Sequence, residues 1–420
     1  MLHLRLLGGP LIIVLLTLNS LFEEPAELPQ TGPKDANLAS FDKLMTTFVH
    51  KNDLPGAALA VAKDGRVVYS RGFGFADREK KEPVRPNSLF RIASISKPIT
   101  AAAILQLVER KKLKLDDKVF EVLELVEPNG AKFDGRWKKV TILQLLQHTG
   151  GWNRDRKGAF DPMFYSPEIV KELKVRTPAD AHAIIRFMLR LPLDFDPGTE
   201  YHYSNFGYCL LGRVVEKVSG QSYEDYVQKH VLAPLGIENM RLGHTLLRGR
   251  AEGEVKYYVP ERDRPLAIMG TDVGKPVPEP YGAWNLEAMD SHGGWIASAA
   301  DLVRFASAFD HPKKCKILNE KSIEIMFARP EGEPGKNKSG NPSGPYYACG
   351  WEVHPFQDGT RNTWHGGSLP GSSTLLVRRA DGLTWAVLFN SRNMPGKVEP
   401  ADAIDPLLHD AADAVKKWPK

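Results

Sequence analysis

Apolar and polar positions recur with two different periods along this chain, and the places where the period changes divide it. Over residues 38–49, Phe41, Leu44, Met45 and Phe48 return at helical spacing, which predicts an amphipathic helix. Two β-rich runs follow at 56–62 and 66–75, joined by Asp64-Gly65, a pair suited to a tight hairpin turn. The arrangement returns near the C-terminus as 373–379, Asp381-Gly382 and 384–390, followed by a helix-like segment at 400–416. Helix–hairpin at the front and hairpin–helix at the back predict one antiparallel sheet built from both chain ends. Terminal helices would flank it, an α+β architecture.

The middle of the chain reads differently. Helical periods occupy 141–147, 179–190 and 206–218, the last closed by Gly220, and then 223–231 before Ala233-Pro234-Leu235-Gly236. The expected division is a sheet domain of 38–92 with 285–420, and a mostly helical domain of 93–284 inserted between them. Residues 247–283 and 329–345 carry Gly, Pro and charge without period. Long loops of this kind tend to lie near a binding site.

Composition narrows the class. With 420 residues and 42% hydrophobic content, the chain suffices for one large domain or two interleaved ones. The net charge of +5 is small, and basic pairs such as Lys80-Lys81 and Lys138-Lys139 are scattered, so no nucleic-acid partner is expected. Residues 1–22 read as a signal peptide, with apolar 6–18 short for a membrane span, and 23–37 as a polar linker. A secreted or periplasmic protein without a stable membrane span follows; an uncleaved anchor is the alternative. Three cysteines make no disulfide framework, although Cys315 and Cys349 are available to pair in an oxidising compartment.

Candidate chemistry begins at Ser94 and Lys97, ahead of the apolar run 99–108 and next to Pro98, which suits a first helical turn. Three residues apart on a helix, the ammonium reaches the hydroxyl, the basis of an acyl-transfer nucleophile. Ser40 and Lys43 repeat the spacing, but Ser40 reads as the N-cap of the exposed first helix. Ser96 is adjacent to Lys97 and does not face it. Tyr203 and Asn205 lie on a loop entering the helix 206–218, where a phenol relays protons and a carboxamide holds Lys97 or a substrate amide. Histidine–x–glycine occurs three times, at His148, His292 and His365. Only His365-Gly366-Gly367 stands just before the C-terminal hairpin, at the edge of the predicted sheet. There the glycines would let substrate approach the backbone, and the Ser368 N–H would complete an oxyanion hole with that of Ser94.

Taken in order, Ser94–Lys97, Tyr203–Asn205 and His365–Gly367 resemble the three motifs of the class C β-lactamase and penicillin-binding-protein-like serine hydrolases. Leu54-Pro55-Gly56-Ala57, Leu115-Asp116-Asp117, Gln147-His148-Thr149-Gly150, Gly293-Gly294-Trp295 and Asp301-Leu302 extend the resemblance over nearly the whole mature chain. It implies the serine β-lactamase/penicillin-binding-protein-like fold, with a cleft between sheet and inserted helices. It also implies Ser94 as acyl-enzyme nucleophile, Lys97 and Tyr203 sharing general-base work, Asn205 holding Lys97 and substrate, and His365 shaping the far wall. No metal or organic cofactor is implied, and the partner would be a small-molecule or peptide substrate.

One departure bears on specificity. Class C β-lactamases resemble Lys-Thr-Gly at the third motif, where this chain has a histidine that is at most partly charged at neutral pH. That position is more similar to esterase, D-amino-peptide hydrolase and LACTB-like branches. The expected activity is hydrolysis of an ester, a D-amino peptide or a β-lactam-like substrate. The alternative is a non-catalytic or slowly acylated protein that binds cell-wall peptides or penicillin. Oligomeric state is not legible.

Overall fold

The computed structural model describes residues 28–336, 339–396 and 398–419. The expected signal peptide lies outside the described residues. Among those described, nine strands form an antiparallel sheet. Its main path runs Gln30–Thr31, Arg66–Asp77, Gly56–Lys63, Leu383–Phe389, Ser372–Arg378, Arg361–Leu369, Glu352–Pro355, Tyr346–Tyr347. Glu82–Pro83 pairs off Arg66–Asp77. The two hairpins anticipated from alternation form the centre, where Gly56–Lys63 and Leu383–Phe389 pair from Ala57↔Phe389 to Lys63↔Leu383.

Strand periodicity sends alternate side chains to two cores. Ala57, Leu59 and Val61 face the terminal helices Ala39–Lys51 and Pro400–Asp413, meeting Phe41, Met45, Ile404 and Leu408. Ala58, Ala60 and Ala62 face the larger core, which the buried helices Ser96–Glu109 and Ala299–Ser307 share. Burying a side chain such as Phe41 or Leu408 contributes about 1.5–3 kcal/mol each.

Three departures from the pattern matter. Arg361–Leu369 is a strand, although its glycine pair breaks any apolar alternation. It pairs with Ser372–Arg378 from Thr363↔Arg378 to Leu369↔Ser372, but with Glu352–Pro355 only from Arg361↔Pro355 to Trp364↔Glu352. His365 therefore stands just ahead of the C-terminal hairpin, inside a strand whose outer edge opens beside it. Ser40 is inside its helix and is no N-cap: its Oγ donates to the Ala411 carbonyl at 2.8 Å, tying the two terminal helices together. The three cysteines are free thiols, and burial pushes Cys349 up to about 12.

The helical part contains Ser166–Leu173, Ala181–Met188, Asn205–Ser219 and Tyr223–Val227, with Gly220 in the left-handed conformation closing the third. Residues 247–283 are irregular apart from short turns. Buried Arg91 pins the neighbouring segments by donating to the carbonyls of His244 (2.8 Å), Thr245 (3.2 Å) and Pro280 (2.9 Å). No helix among the described residues is long and apolar enough to cross a membrane.

Candidate active site

Arg91 belongs to the short strand that delivers Ser94. From Ser88 to Leu107, Ser94 is the one residue not buried. It lies in the turn Ala93–Ile95, which leads directly into the helix Ser96–Glu109. Ala93 adopts φ 49°, a left-handed conformation that costs a non-glycine residue about 1–3 kcal/mol. The surroundings hold it there: the Ile92 carbonyl accepts from Ile95 N (3.2 Å) and Thr374 Oγ1 (3.0 Å), and Ile92 N donates to Trp295 O (3.0 Å). Ser94 is thereby turned toward a cleft of about 910 Å³.

Behind it, Lys97 is fully buried, and its Nζ has three oxygen neighbours. These are Ser94 Oγ at 3.0 Å, Asn205 Oδ1 at 2.8 Å and the His292 carbonyl at 3.0 Å. Burial, then the nearby Arg154 guanidinium, holds its ammonium well below the ordinary lysine range, with Asp161 pulling the other way. The Tyr203 ring centre lies 4.7 Å from Lys97 Nζ and 4.8 Å from the Arg154 guanidinium carbon. Burial pushes its phenol up, against a smaller opposite pull from a hydrogen bond with Ser94. The phenol therefore keeps its proton at neutral pH.

All three histidine–glycine segments converge here, in different roles. His292 contributes its carbonyl to Lys97. His148 lays its ring 4.3 Å from that of Tyr203, and its Nδ1 accepts from Ser204 N at 3.2 Å. His365 is buried, with Nδ1 donating to the Gly366 carbonyl at 2.6 Å and Nε2 receiving the Tyr347 hydroxyl at 3.0 Å. Burial, then Lys97, pushes His365 down to about 3. Both ring nitrogens are engaged and the ring is neutral, so it presents no cation to the cleft.

The two glycines after it differ. A Cβ on Gly367 would meet Ile92 O at 2.2 Å and Thr374 Oγ1 at 2.3 Å, so this glycine lets the strand approach the Ser94 turn. A Cβ on Gly366 would meet nothing nearer than Thr374 O at 3.9 Å, and this residue faces the open cleft. Both glycines line the cleft, Gly366 exposed to it and Gly367 buried against the Ser94 turn. Ser368 lies on the open edge with its Oγ turned away to Glu399 Oε1 at 2.6 Å.

Two neighbours of the site carried no motif. Asp161 Oδ2 receives Asn205 Nδ2 at 2.6 Å and Arg154 Nη1 at 3.0 Å. The signal at Asp161-Pro162 was of another kind: an N-cap with proline at the first helical position, which announces a turn and nothing beyond it. No group of three or more His, Cys, Asp or Glu side chains among the described residues is placed to hold a metal ion.

A family profile described as Beta-lactamase matches residues 41–408. Penicillin-binding protein 4* of Bacillus subtilis is 28% identical over 85% of this chain and 72% of its own length. Esterase EstB of Burkholderia gladioli is 35% identical over 58% of this chain and 60% of its own. Further curated relatives are covered over only 64% of their length. Among solved structures, the octameric penicillin-binding protein homologue from Pyrococcus abyssi superimposes with a TM-score of 0.66 and 26% identity. That match covers 91% of this chain and 78% of the other.

Proposed function

We propose, from the premise that this chain belongs to the Beta-lactamase family of serine hydrolases, that it cleaves carboxylic esters or peptide-like amides through an acyl-enzyme on Ser94. One observation carries the reading: the oxygen neighbours of Lys97. As an ammonium, Lys97 has three N–H groups for three acceptors. As a neutral amine, the form favoured by its burial, it has two N–H groups and one lone pair. Asn205 Oδ1 and the His292 carbonyl can only accept, so they take the N–H groups. The lone pair is left for the Ser94 hydroxyl at 3.0 Å.

The reaction follows from that placement. Ser94 Oγ bonds to the substrate carbonyl carbon as its proton passes to Lys97 Nζ. The carbonyl oxygen becomes an oxyanion, stabilised by the N–H groups of Ser94 and Ser368. Collapse breaks the bond to the leaving group. That group takes a proton relayed from Lys97 through the Tyr203 phenol, which stays protonated between transfers. A water then attacks the acyl-serine by the same route in reverse, releasing the carboxylic acid. The neutral His365 favours esters and uncharged amides over substrates carrying a carboxylate beside the scissile bond. Export is proposed on the apolar run 6–18.

Covalent labelling by a fluorophosphonate tests the nucleophile: the wild-type protein should gain one adduct and Ser94→Ala none. Equal labelling of both would remove Ser94 from the reaction. Turnover of a p-nitrophenyl ester, a D-alanyl peptide and nitrocefin ranks the substrates. Acylation without turnover of any of them would favour the binding-protein alternative.

A further inference from the structure

We propose that Asp161 is a positioning residue of this site, holding the Asn205 carboxamide in the one orientation that leaves the Lys97 lone pair for Ser94. The proposal rests on the acyl-transfer reading above and adds to it a residue that no motif marks.

A carboxamide is nearly symmetric in shape, and turning it over exchanges an acceptor for a donor at almost no steric cost. Its orientation is chosen by what stands at each end. At one end of Asn205 is Lys97 Nζ at 2.8 Å, and at the other is Asp161 Oδ2 at 2.6 Å. A carboxylate only accepts, so it draws the amide N–H toward itself and leaves Oδ1 facing Lys97. The carboxylate is itself fixed. Its Oδ1 caps the turn Pro162–Phe164 by accepting from Met163 N at 3.1 Å. Its Oδ2 also receives Arg154 Nη1 at 3.0 Å, and the side chain is 15% exposed. In the absence of Asp161 the amide is free to turn over. Its N–H would then meet the neutral Lys97 amine and occupy the lone pair, and Ser94 would lose its base.

Orientation and charge separate in two variants. Asp161→Ala removes both. Asp161→Asn retains one oxygen, which two donors, Asn205 and Arg154, draw toward themselves against the single donor at the cap. It therefore keeps the orientation and loses the charge. Because Asp161 favours the protonated form of Lys97, removing its charge makes Lys97 easier to deprotonate. The acid limb of the rate profile should then move to lower pH.

The full-length protein and both variants are compared by fluorophosphonate labelling rate and by p-nitrophenyl ester turnover from pH 5 to 9. Asp161→Ala should lower kcat about 100-fold with KM changed less than about 3-fold. Asp161→Asn should stay within about 10-fold of wild type with its acid limb displaced downward. A kcat for Asp161→Ala near the wild-type value would overturn the proposal. Equal impairment of both variants with an unmoved acid limb would do so too, since a role confined to the turn predicts that result. Should Asp161→Ala not fold, Asp161→Ser takes its place, since a serine keeps an acceptor for the Met163 cap but is too short to hold Asn205. The same loss of kcat is expected, and a kcat near wild type would overturn the proposal. Absence of any label on the wild type would instead defeat the acyl-transfer reading, and this proposal with it.

Discussion

The two walls of the cleft are built on opposite plans. On the helical wall, Lys97, Asn205 and Asp161 are buried or nearly so, and each polar atom facing the others has a partner of fixed sense. On the sheet wall, pairing with Glu352–Pro355 ends at Trp364, and the backbone from His365 to Ser368 faces the cleft on an open edge. Among the described residues, five carboxylates, Glu279, Glu352, Glu399, Asp402 and Asp405, line the cleft with two guanidiniums, Arg154 and Arg392. Buried and fully paired groups tolerate one arrangement only and so govern the reaction step. An open edge with a charged rim discriminates among substrates instead.

The largest effect should come from the helical wall. Lys97→Met removes the base and leaves Asn205 Oδ1 and the His292 carbonyl without their donor. Ester kcat/KM should fall about 1000-fold with the fold retained. A fall of less than about 10-fold would move the general-base role to Tyr203 and dissolve the contrast between the walls.

The sheet wall should respond next, and unevenly. Gly367→Ala presses a Cβ against Ile92 O and Thr374 Oγ1, so the strand must move away from the Ser94 turn. A displacement of that kind should cost about 100-fold in kcat. Gly366→Ala, with open space beside it, should leave stability unchanged and alter only KM. Equal losses of kcat in the two variants would mean that the strand edge does not set the distance to Ser94.

Legibility in the sequence divided along the same line. The central hairpins were readable because Asp64-Gly65 and Asp381-Gly382 join alternating runs, a local signal. Ser94 and Lys97 were readable because a helix fixes their spacing. His365 was placed at the sheet edge ahead of the hairpin, yet the extent of its strand, Arg361–Leu369, was not legible, because the glycines that admit the Ser94 turn also erase the apolar alternation. His148 and His292 read as rivals of His365, whereas in three dimensions they support Tyr203 and Lys97. Asp161 carried no signal of its partner, because a contact across 44 residues of chain leaves no period or spacing. Local chemistry is written in the sequence; the sense of a hydrogen bond between loops is not.

Acid should strain both walls through their histidines. His148, His292 and His365 are buried and held below the ordinary histidine range, chiefly by that burial, His365 at about 3. Unfolded, each takes up a proton below about pH 6.5. Folded His365 does not do so until about pH 3. The unfolded state binds more protons in that window, so stability falls as pH drops from about 6.5 toward 3. Each such histidine accounts for about 1.4 kcal/mol per pH unit. Tm measured from pH 7 to 5 should decline, and His365→Gln should decline less steeply. An identical slope would show that His365 is protonated in the folded protein.

The smallest effect separates the walls most directly, because it changes the substrate and leaves the protein alone. With His365 neutral and Arg392 facing Glu279 at 3.9 Å, the sheet wall offers a carboxylate few favourable partners and a surplus of negative charge. An ester bearing a carboxylate beside the scissile bond should show a KM about 10-fold above that of its neutral isostere. The Lys97 step is common to both, so kcat should be nearly equal. Because the rim carboxylates are partly exposed, salt should screen them, and the KM gap should close toward 1 M, where the screening length is about 3 Å. A gap that appears in kcat, or that persists at high salt, would place the discrimination at the buried wall, and substrate choice and chemistry would then share the same residues.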